Sequence, residues 1–80
     1  MKTLSVSISS PEKVVFQGDA EMVVVNAFEG EMGFLADHAP LVAKLRPGNI
    51  RVKSKEKTLE FAGTEGFVEV LDNKITILCR

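Results

Sequence analysis

The chain has 80 residues and a formal charge of −1, which predicts one small domain over residues 1–80. Hydrophobic residues make up 45% of the sequence and charged residues 26%, values that exclude wholesale disorder. The single cysteine, Cys79, excludes an internal disulfide and a cysteine-based zinc site, and a domain this small without disulfides favours a reducing compartment. No apolar run approaches the roughly 20 residues of a membrane span, and the N-terminus lacks the apolar segment of a signal peptide.

Charge is unevenly distributed along the chain. Residues 1–37 carry two basic and six acidic side chains, residues 38–57 carry six basic and one acidic, and residues 58–80 carry two basic and four acidic. These segments are either the solvated faces of strands or surfaces for partners of different charge. The near-neutral total argues against a general nucleic-acid binder.

Short apolar stretches with a period of two predict half-buried strands along the whole chain. The first is Leu4–Ile8; the second, Val14–Phe16, is expected to stop at Gly18; and the third, Met22–Val25, is expected to be covered on both sides. Further alternating stretches begin at residues 41, 50, 58, 68 and 75. Eight to ten such strands separated by turns are typical of an antiparallel sandwich or barrel.

Turn residues separate these stretches. Two glycines predict a loop over Glu29–Gly33, and Pro47-Gly48 has the composition of a type II turn. A polar stretch at residues 54–57 and the pair Asp72-Asn73 predict two further chain reversals.

No catalytic constellation is found in the sequence, so an enzyme, a bound cofactor and a metal site are not expected. The only histidine, His38, has no second ligand beyond Asp37, and Cys79 shares a strand face with Ile77, which predicts a buried thiol. A nucleic-acid surface on the basic stretch Lys44–Lys57 would need exposed aromatic side chains, and the nearby Phe61 is expected to point inward.

One segment carries a specific resemblance. The motifs Gly30-Glu31-Met32-Gly33, His38-Ala39-Pro40-Leu41 and Pro47-Gly48-Asn49-Ile50 occur in order, after Ser10-Pro11-Glu12 and before Gly66-Phe67-Val68-Glu69-Val70. Together they resemble the epsilon subunit of F-type ATP synthase, which is called delta in mitochondria. The resemblance covers essentially the whole chain.

The resemblance implies an all-β fold, a flattened sandwich of two five-stranded sheets. It also implies a non-catalytic rotor subunit of the central stalk that binds the gamma subunit and the c-ring, couples proton translocation to ATP synthesis and holds no cofactor. It would lie at the cytoplasmic face of the bacterial inner membrane, peripheral and not inserted. Carried over by motif, the gamma interface would comprise Ser10, His38, Leu41, Val42 and Ala43, and the c-ring interface Glu29, Gly30, Glu31 and Met32.

Two departures from the family pattern are visible. Where the family often has Pro-Gly or Pro-Asn before the histidine, this chain has Ala36-Asp37, which adds a negative charge beside His38. Family members usually continue into a C-terminal helical hairpin, which is not expected in this sequence, so its inhibitory and ATP-sensing roles are not carried over. The alternative from another class is a free-standing β-sandwich binding module, for example for oligonucleotides. Residue by residue, Met32 could equally be a core residue, Glu29 and Glu31 a solvated loop, and His38 a loop cap.

Overall fold

The computed structural model describes residues 2–80, which form nine β-strands. None of the described residues belongs to a helix long and apolar enough to cross a membrane. The strands are β1 (Leu4–Ser9), β2 (Val14–Ala20), β3 (Met22–Ala27), β4 (Gly30–Leu35), β5 (Leu41–Leu45), β6 (Gly48–Lys53), β7 (Thr58–Gly63), β8 (Gly66–Leu71) and β9 (Lys74–Cys79).

The strands form one curled sheet with two halves. One half is ordered β2-β1-β9-β8-β5, and the other comprises β3, β6 and β7 with β4 on the far side of β3. All pairs are antiparallel except β1 with β9, which is parallel. The predicted all-β fold is confirmed, and the predicted two sheets of five are obtained when β5, which pairs with β8 and meets β3 at one residue pair, is counted in both halves.

The chain passes from one half to the other between β5 and β6. Both strands run antiparallel to β3, so the chain keeps its direction through Pro47, and the predicted type II reversal is wrong. The Arg46 N–H donates to the carbonyl of Asn26 at 2.8 Å, which holds this bend against β3. The Asn26 side-chain amide also donates to the carbonyl of Pro47 at 3.3 Å. The chain therefore only bends between β5 and β6, and it continues along β3 into the second half of the sheet.

Inward side chains from both halves share one core. The alternation in β1, β8 and β9 buries every second residue, as the period of two predicts. The largest buried side chain is Phe34, and the predicted doubly covered segment of β3 is confirmed by burial of Val23, Val24 and Val25. The outermost strands β2 and β7 meet through Phe16 and Phe61, whose ring centroids are 5.2 Å apart, so this aromatic pair closes the curled sheet.

Two boundaries differ from the sequence prediction. Strand β2 continues through Gly18 to Ala20, because Gly18 pairs with Val6 and the Phe16 ring lies over its missing side chain. The segment predicted as a glycine loop is strand β4 from Gly30 onward, and only residues 28–29 form the turn.

Candidate functional site

The residues predicted to face gamma lie along the five-stranded half. Ser10 follows β1 at one end of this half, Val42 lies in β5, and His38 lies in the loop before β5 near the opposite end. The intervening strands are β9 and β8, so a partner that touches both Ser10 and Val42 has to cover the outer face of these strands.

Neighbouring residues of β5 differ in what they offer to a partner. Val42 points outward and is 67% exposed. Leu41 and Ala43 are half-buried and pack against the core. Because an apolar side chain exposed to this degree gains most from being covered, Val42 is the member of this group best placed for binding.

Sequence reasoning missed the apolar residues beside Val42. Phe67 and Leu78 point outward, pair with each other across β8 and β9, and are 49% and 53% exposed. Together with Pro11 and Phe28 they line a groove of about 400 Å³. The sequence does contain a signal for these two residues. In the period-two alternation of their strands, both occupy outward positions, where polar side chains are expected. We call this surface, defined by Val42, Phe67 and Leu78, the apolar face.

The residues predicted to meet the c-ring lie on the β3–β4 hairpin and point in different directions. Glu29 is in the exposed turn, and Gly30 begins β4 with φ of 130°. Glu31 points outward on the four-stranded half, whereas Met32 is half-buried and packs against the core. The two acidic side chains and the methionine therefore do not form one contact patch on a flexible loop.

Glu31 has a partner that the sequence did not reveal. Arg51 of β6 donates to the Glu31 carboxylate at 2.7 Å, and the pair spans β3, the strand between them. The pair lies on the same outer side as Val24, which is only 5% exposed. A charge of +1 on Arg51 thus offsets the negative charge that Glu31 would present to a basic partner.

A second groove joins the two predicted interfaces. It has a volume of about 310 Å³ and lies between β4 and β5, where Glu29 and Met32 face Leu41, Val42 and Ala43. The structure thus brings together five of the nine predicted residues, although the resemblance assigns them to different partners.

Close packing across β3 and β4 explains the second glycine of the motif. Gly33 pairs with Val24, and a Cβ at Gly33 would lie 2.7 Å from the terminal methyl of Met22. Met22 therefore folds over Gly33, and the glycine serves the outer packing of this half rather than a loop.

His38 is held by its surroundings rather than freely exposed. Its ring meets the ring of Phe34 edge-on, with centroids 5.1 Å apart, and its Nδ1 lies 2.7 Å from the carbonyl of Ala39. Its backbone N–H donates to the carbonyl of Leu35 at 3.3 Å. One face of the loop is thus fixed to the core through Phe34.

Asp37, the residue that departs from the family pattern, adopts a left-handed conformation with φ of 67°. Its carboxylate accepts hydrogen bonds from Asn73 and Lys2, each at 3.2 Å. The hydrogen bond from Asn73, followed by that from Lys2, holds the pKa of the Asp37 carboxyl below its ordinary value of 3.8.

Aromatic side chains do lie near the basic segment in space. Phe61 packs inward, as predicted, but Phe28 is 54% exposed and the Arg46 guanidinium lies 5.7 Å from its ring centroid. Lys44 pairs with Phe67 across β5 and β8. The expectation of a basic surface without exposed aromatics is therefore wrong at this corner of the fold.

The fold and these surfaces define a small β-sandwich with an apolar outer face and a charged hairpin. Residues 3–80 match the family described as the ATP synthase delta/epsilon chain, beta-sandwich domain, and the chain belongs to this family. It is 46% identical over 80 residues to the ATP synthase epsilon chain of Bacillus pumilus, covering 100% of this chain and 61% of that one. It is 42% identical over 78 residues to the chloroplastic epsilon chain of Emiliania huxleyi, covering 98% and 60% respectively. The chain thus spans about three fifths of the length of these curated relatives.

Solved structures agree on the fold. A chain in the mitochondrial ATP synthase of Euglena gracilis, from a structure of OSCP, F1 and c-ring, superposes with a TM-score of 0.90 and 25% identity, covering 96% of this chain and 50% of that one. A chain in the central stalk and c-ring structure of Tetrahymena thermophila superposes with a TM-score of 0.79 and 19% identity, covering 98% and 63%. The second likeness supports the fold alone.

Proposed function

We propose that this chain is the β-sandwich part of a rotor subunit of F-type ATP synthase that attaches to the gamma subunit and the c-ring and couples proton translocation to ATP synthesis. The observation that carries the proposal is that three exposed apolar side chains, Val42, Phe67 and Leu78, share one outer face of the strands between the motif residues Ser10 and His38. Membership of the delta/epsilon family and likeness to a chain in a structure with F1 and c-ring support the identity of the partners.

The role in the complex is structural. Residues 1–80 would make up a single β-sandwich domain, which holds no cofactor and catalyses no reaction alone. The domain is peripheral to the membrane through its partners, and in a bacterial cell it lies at the cytoplasmic face of the inner membrane. Calorimetric titration of the isolated domain with ATP is expected to show no saturable binding below roughly millimolar concentration, which corresponds to about 4 kcal/mol.

Gamma covers the apolar face. Interface centres are enriched in buried apolar and aromatic anchors, whereas rim charges contribute little to affinity. Val42, Phe67 and Leu78 have that character on this chain. Ser10 and His38 would then lie at the margins of the contact.

The c-ring meets the tip of the β3–β4 hairpin. Glu29 is exposed and has no ion-pair partner among residues 2–80, so it offers a charge to a basic loop, whereas Glu31 is paired with Arg51. Replacing Glu29 and Glu31 with Gln removes the charges without disturbing the strand. In a reconstituted synthase, the double variant is expected to reduce attachment of the head to the membrane sector or proton-driven ATP synthesis. Native levels of both would contradict the assignment of the hairpin to the c-ring.

Co-purification with gamma tests the whole proposal. The folded domain is expected to elute with cognate gamma as a stable complex in size-exclusion chromatography. The absence of a complex, with the domain shown to be folded by circular dichroism, would overturn the rotor function.

The second candidate, a module for single-stranded oligonucleotides, draws on the corner where Phe28 and Phe67 lie beside Arg46 and Lys44. Stacking on exposed aromatics next to cations is the physical basis of such binding. Fluorescence anisotropy with a labelled oligonucleotide separates the candidates, since a rotor subunit should show no binding at physiological salt.

A further inference from the structure

The left-handed conformation of Asp37 has a specific support from a distant turn. Residues other than glycine rarely adopt positive φ, because the Cβ approaches the following backbone. The N–H of Asp37 donates to the side-chain carbonyl of Asn73 at 2.5 Å, and the Asn73 amide donates back to the Asp37 carboxylate at 3.2 Å. One asparagine side chain thus satisfies the backbone and the side chain of Asp37 together.

Asn73 is a rigid anchor. It lies in the two-residue turn between β8 and β9, where Asp72 and Asn73 have φ of 50° and 61°. This is the geometry of a type I′ hairpin turn, which matches the twist of the flanking strands. The Ser5 N–H donates to the Asn73 carbonyl at 2.8 Å, so β1 also holds the turn.

The anchor acts on the segment that carries His38. Asp37 precedes His38 directly, so its φ sets the direction in which the chain leaves toward His38 and Pro40. On the other side, the His38 ring packs against Phe34, which is fully buried. The segment is therefore held at two points, the turn through Asn73 and the core through Phe34.

We propose that Asn73 is a positioning residue for the gamma interface, because its hydrogen bonds to Asp37 hold the His38 segment in the binding conformation before gamma arrives. Pre-organisation of this kind raises affinity by removing the cost of ordering the loop on binding. The proposal rests on the gamma-binding function proposed above. The proposal assigns a role to Asn73, which lies 36 positions from Asp37 in the sequence and belongs to none of the motifs.

The substitution Asn73→Gly tests this role, with Asp72→Gly as its matched control. Glycine accepts the positive φ at both positions, so both variants keep the turn. Only Asn73→Gly removes the hydrogen bonds to Asp37, since the Asp72 side chain makes no hydrogen bond with any residue of 2–80. Asp37→Gly removes the carboxylate that accepts from Asn73 and Lys2 and frees the φ at position 37, but it keeps the backbone N–H that donates to Asn73. It replaces Asn73→Gly if that variant fails to fold.

Two readouts decide the outcome. In NMR spectra of the free domain, the ring-current shifts of His38 caused by Phe34 should collapse toward random-coil values in Asn73→Gly and persist in Asp72→Gly. In titrations with purified cognate gamma, Asn73→Gly should weaken affinity about fivefold, corresponding to about one net hydrogen bond, and Asp72→Gly less than about twofold.

Wild-type His38 shifts and affinity in Asn73→Gly would overturn the positioning role. If the wild-type domain fails to bind gamma, the rotor function fails instead. The NMR comparison then still decides whether Asn73 orders the His38 segment.

Discussion

A charge placed on the apolar face should strongly weaken gamma binding without unfolding the domain. Val42 is the best position, because it is 67% exposed and points outward, whereas its neighbours Leu41 and Ala43 pack against the core. Full burial of a valine side chain is worth about 1.5 kcal/mol, so covering the exposed two thirds contributes about 1 kcal/mol. An unpaired carboxylate in a dry contact adds a cost of at least about 2 kcal/mol. Val42→Glu should therefore weaken binding about a hundredfold.

Matched controls make this prediction specific. Ala62→Glu places the same charge on an exposed position of β7, on the other half of the sheet, and should change affinity less than about twofold. Ala43→Glu is a poorer probe, because Ala43 packs against the core and a buried carboxylate would destabilise the fold itself.

Titration of labelled gamma with each variant, after circular dichroism has established folding, gives the ranking. If Val42→Glu binds within about twofold of wild type, gamma does not cover β5, and the apolar face needs another partner.

Three further predictions concern the stability of the fold, and the first of them also concerns gamma affinity. Arg51→Ala breaks an ion pair whose arginine is 37% exposed and whose glutamate is 67% exposed, so urea denaturation should show a loss of about 1 kcal/mol or less, and gamma affinity should stay within about twofold. Gly66→Ala would place a Cβ on the backbone carbonyl of Leu78, so thermal denaturation should show a loss of at least about 3 kcal/mol or no folded protein. Because the folded-state pKa of Asp37 is lowered, its ionised form stabilises the fold above pH 3.8, and this stabilisation is lost as the pH falls through the folded value. The free energy of unfolding should then decline less for Asp37→Asn than for wild type between about pH 5 and about pH 2, and equal declines would contradict the Asp37–Asn73 contact.

The sequence predicted what depends on neighbours along the chain. The alternation of Val6 and Ile8 with serines placed β1 correctly, and Asp72-Asn73 marked the turn before β9. Such patterns are set by the pleat of a strand and by the conformational preferences of turn residues, so they can be read without knowing the fold.

The errors arose where distant residues decide the local structure. Gly30 and Gly33 suggested a loop, but Gly33 lies in a strand because Met22 of β3 packs over it. Pro47-Gly48 suggested a reversal, but contacts with Asn26 keep the chain along β3. Spacing alone does not reveal such partners.

The sequence predicted which segments of the chain form the candidate site better than it predicted the directions of their side chains. Motif resemblance identified the β5 segment and the β3–β4 hairpin, yet it grouped Val42 with Ala43, which the strand turns toward opposite faces. It also omitted Phe67 and Leu78, because their relation to Val42 arises only from the pairing of β5 with β8 and of β8 with β9. Sheet register therefore determines the composition of this surface.

The two proposed interfaces are connected by contacts between β5 and the β3–β4 hairpin. β5 carries Val42 on the apolar face and ends at Leu45, which pairs with Ala27 next to the tip of the hairpin that carries Glu29. The Phe28 N–H donates to the carbonyl of Lys44 at 3.1 Å, a second tie between the same two elements. The Arg46 N–H also donates to the carbonyl of Asn26, so the two elements cannot slide past each other without breaking both backbone hydrogen bonds, and a force applied at the hairpin is transmitted to the apolar face through β5. The rotor function proposed above requires that stiffness, and the contacts of Leu45 and Lys44 with the hairpin supply it.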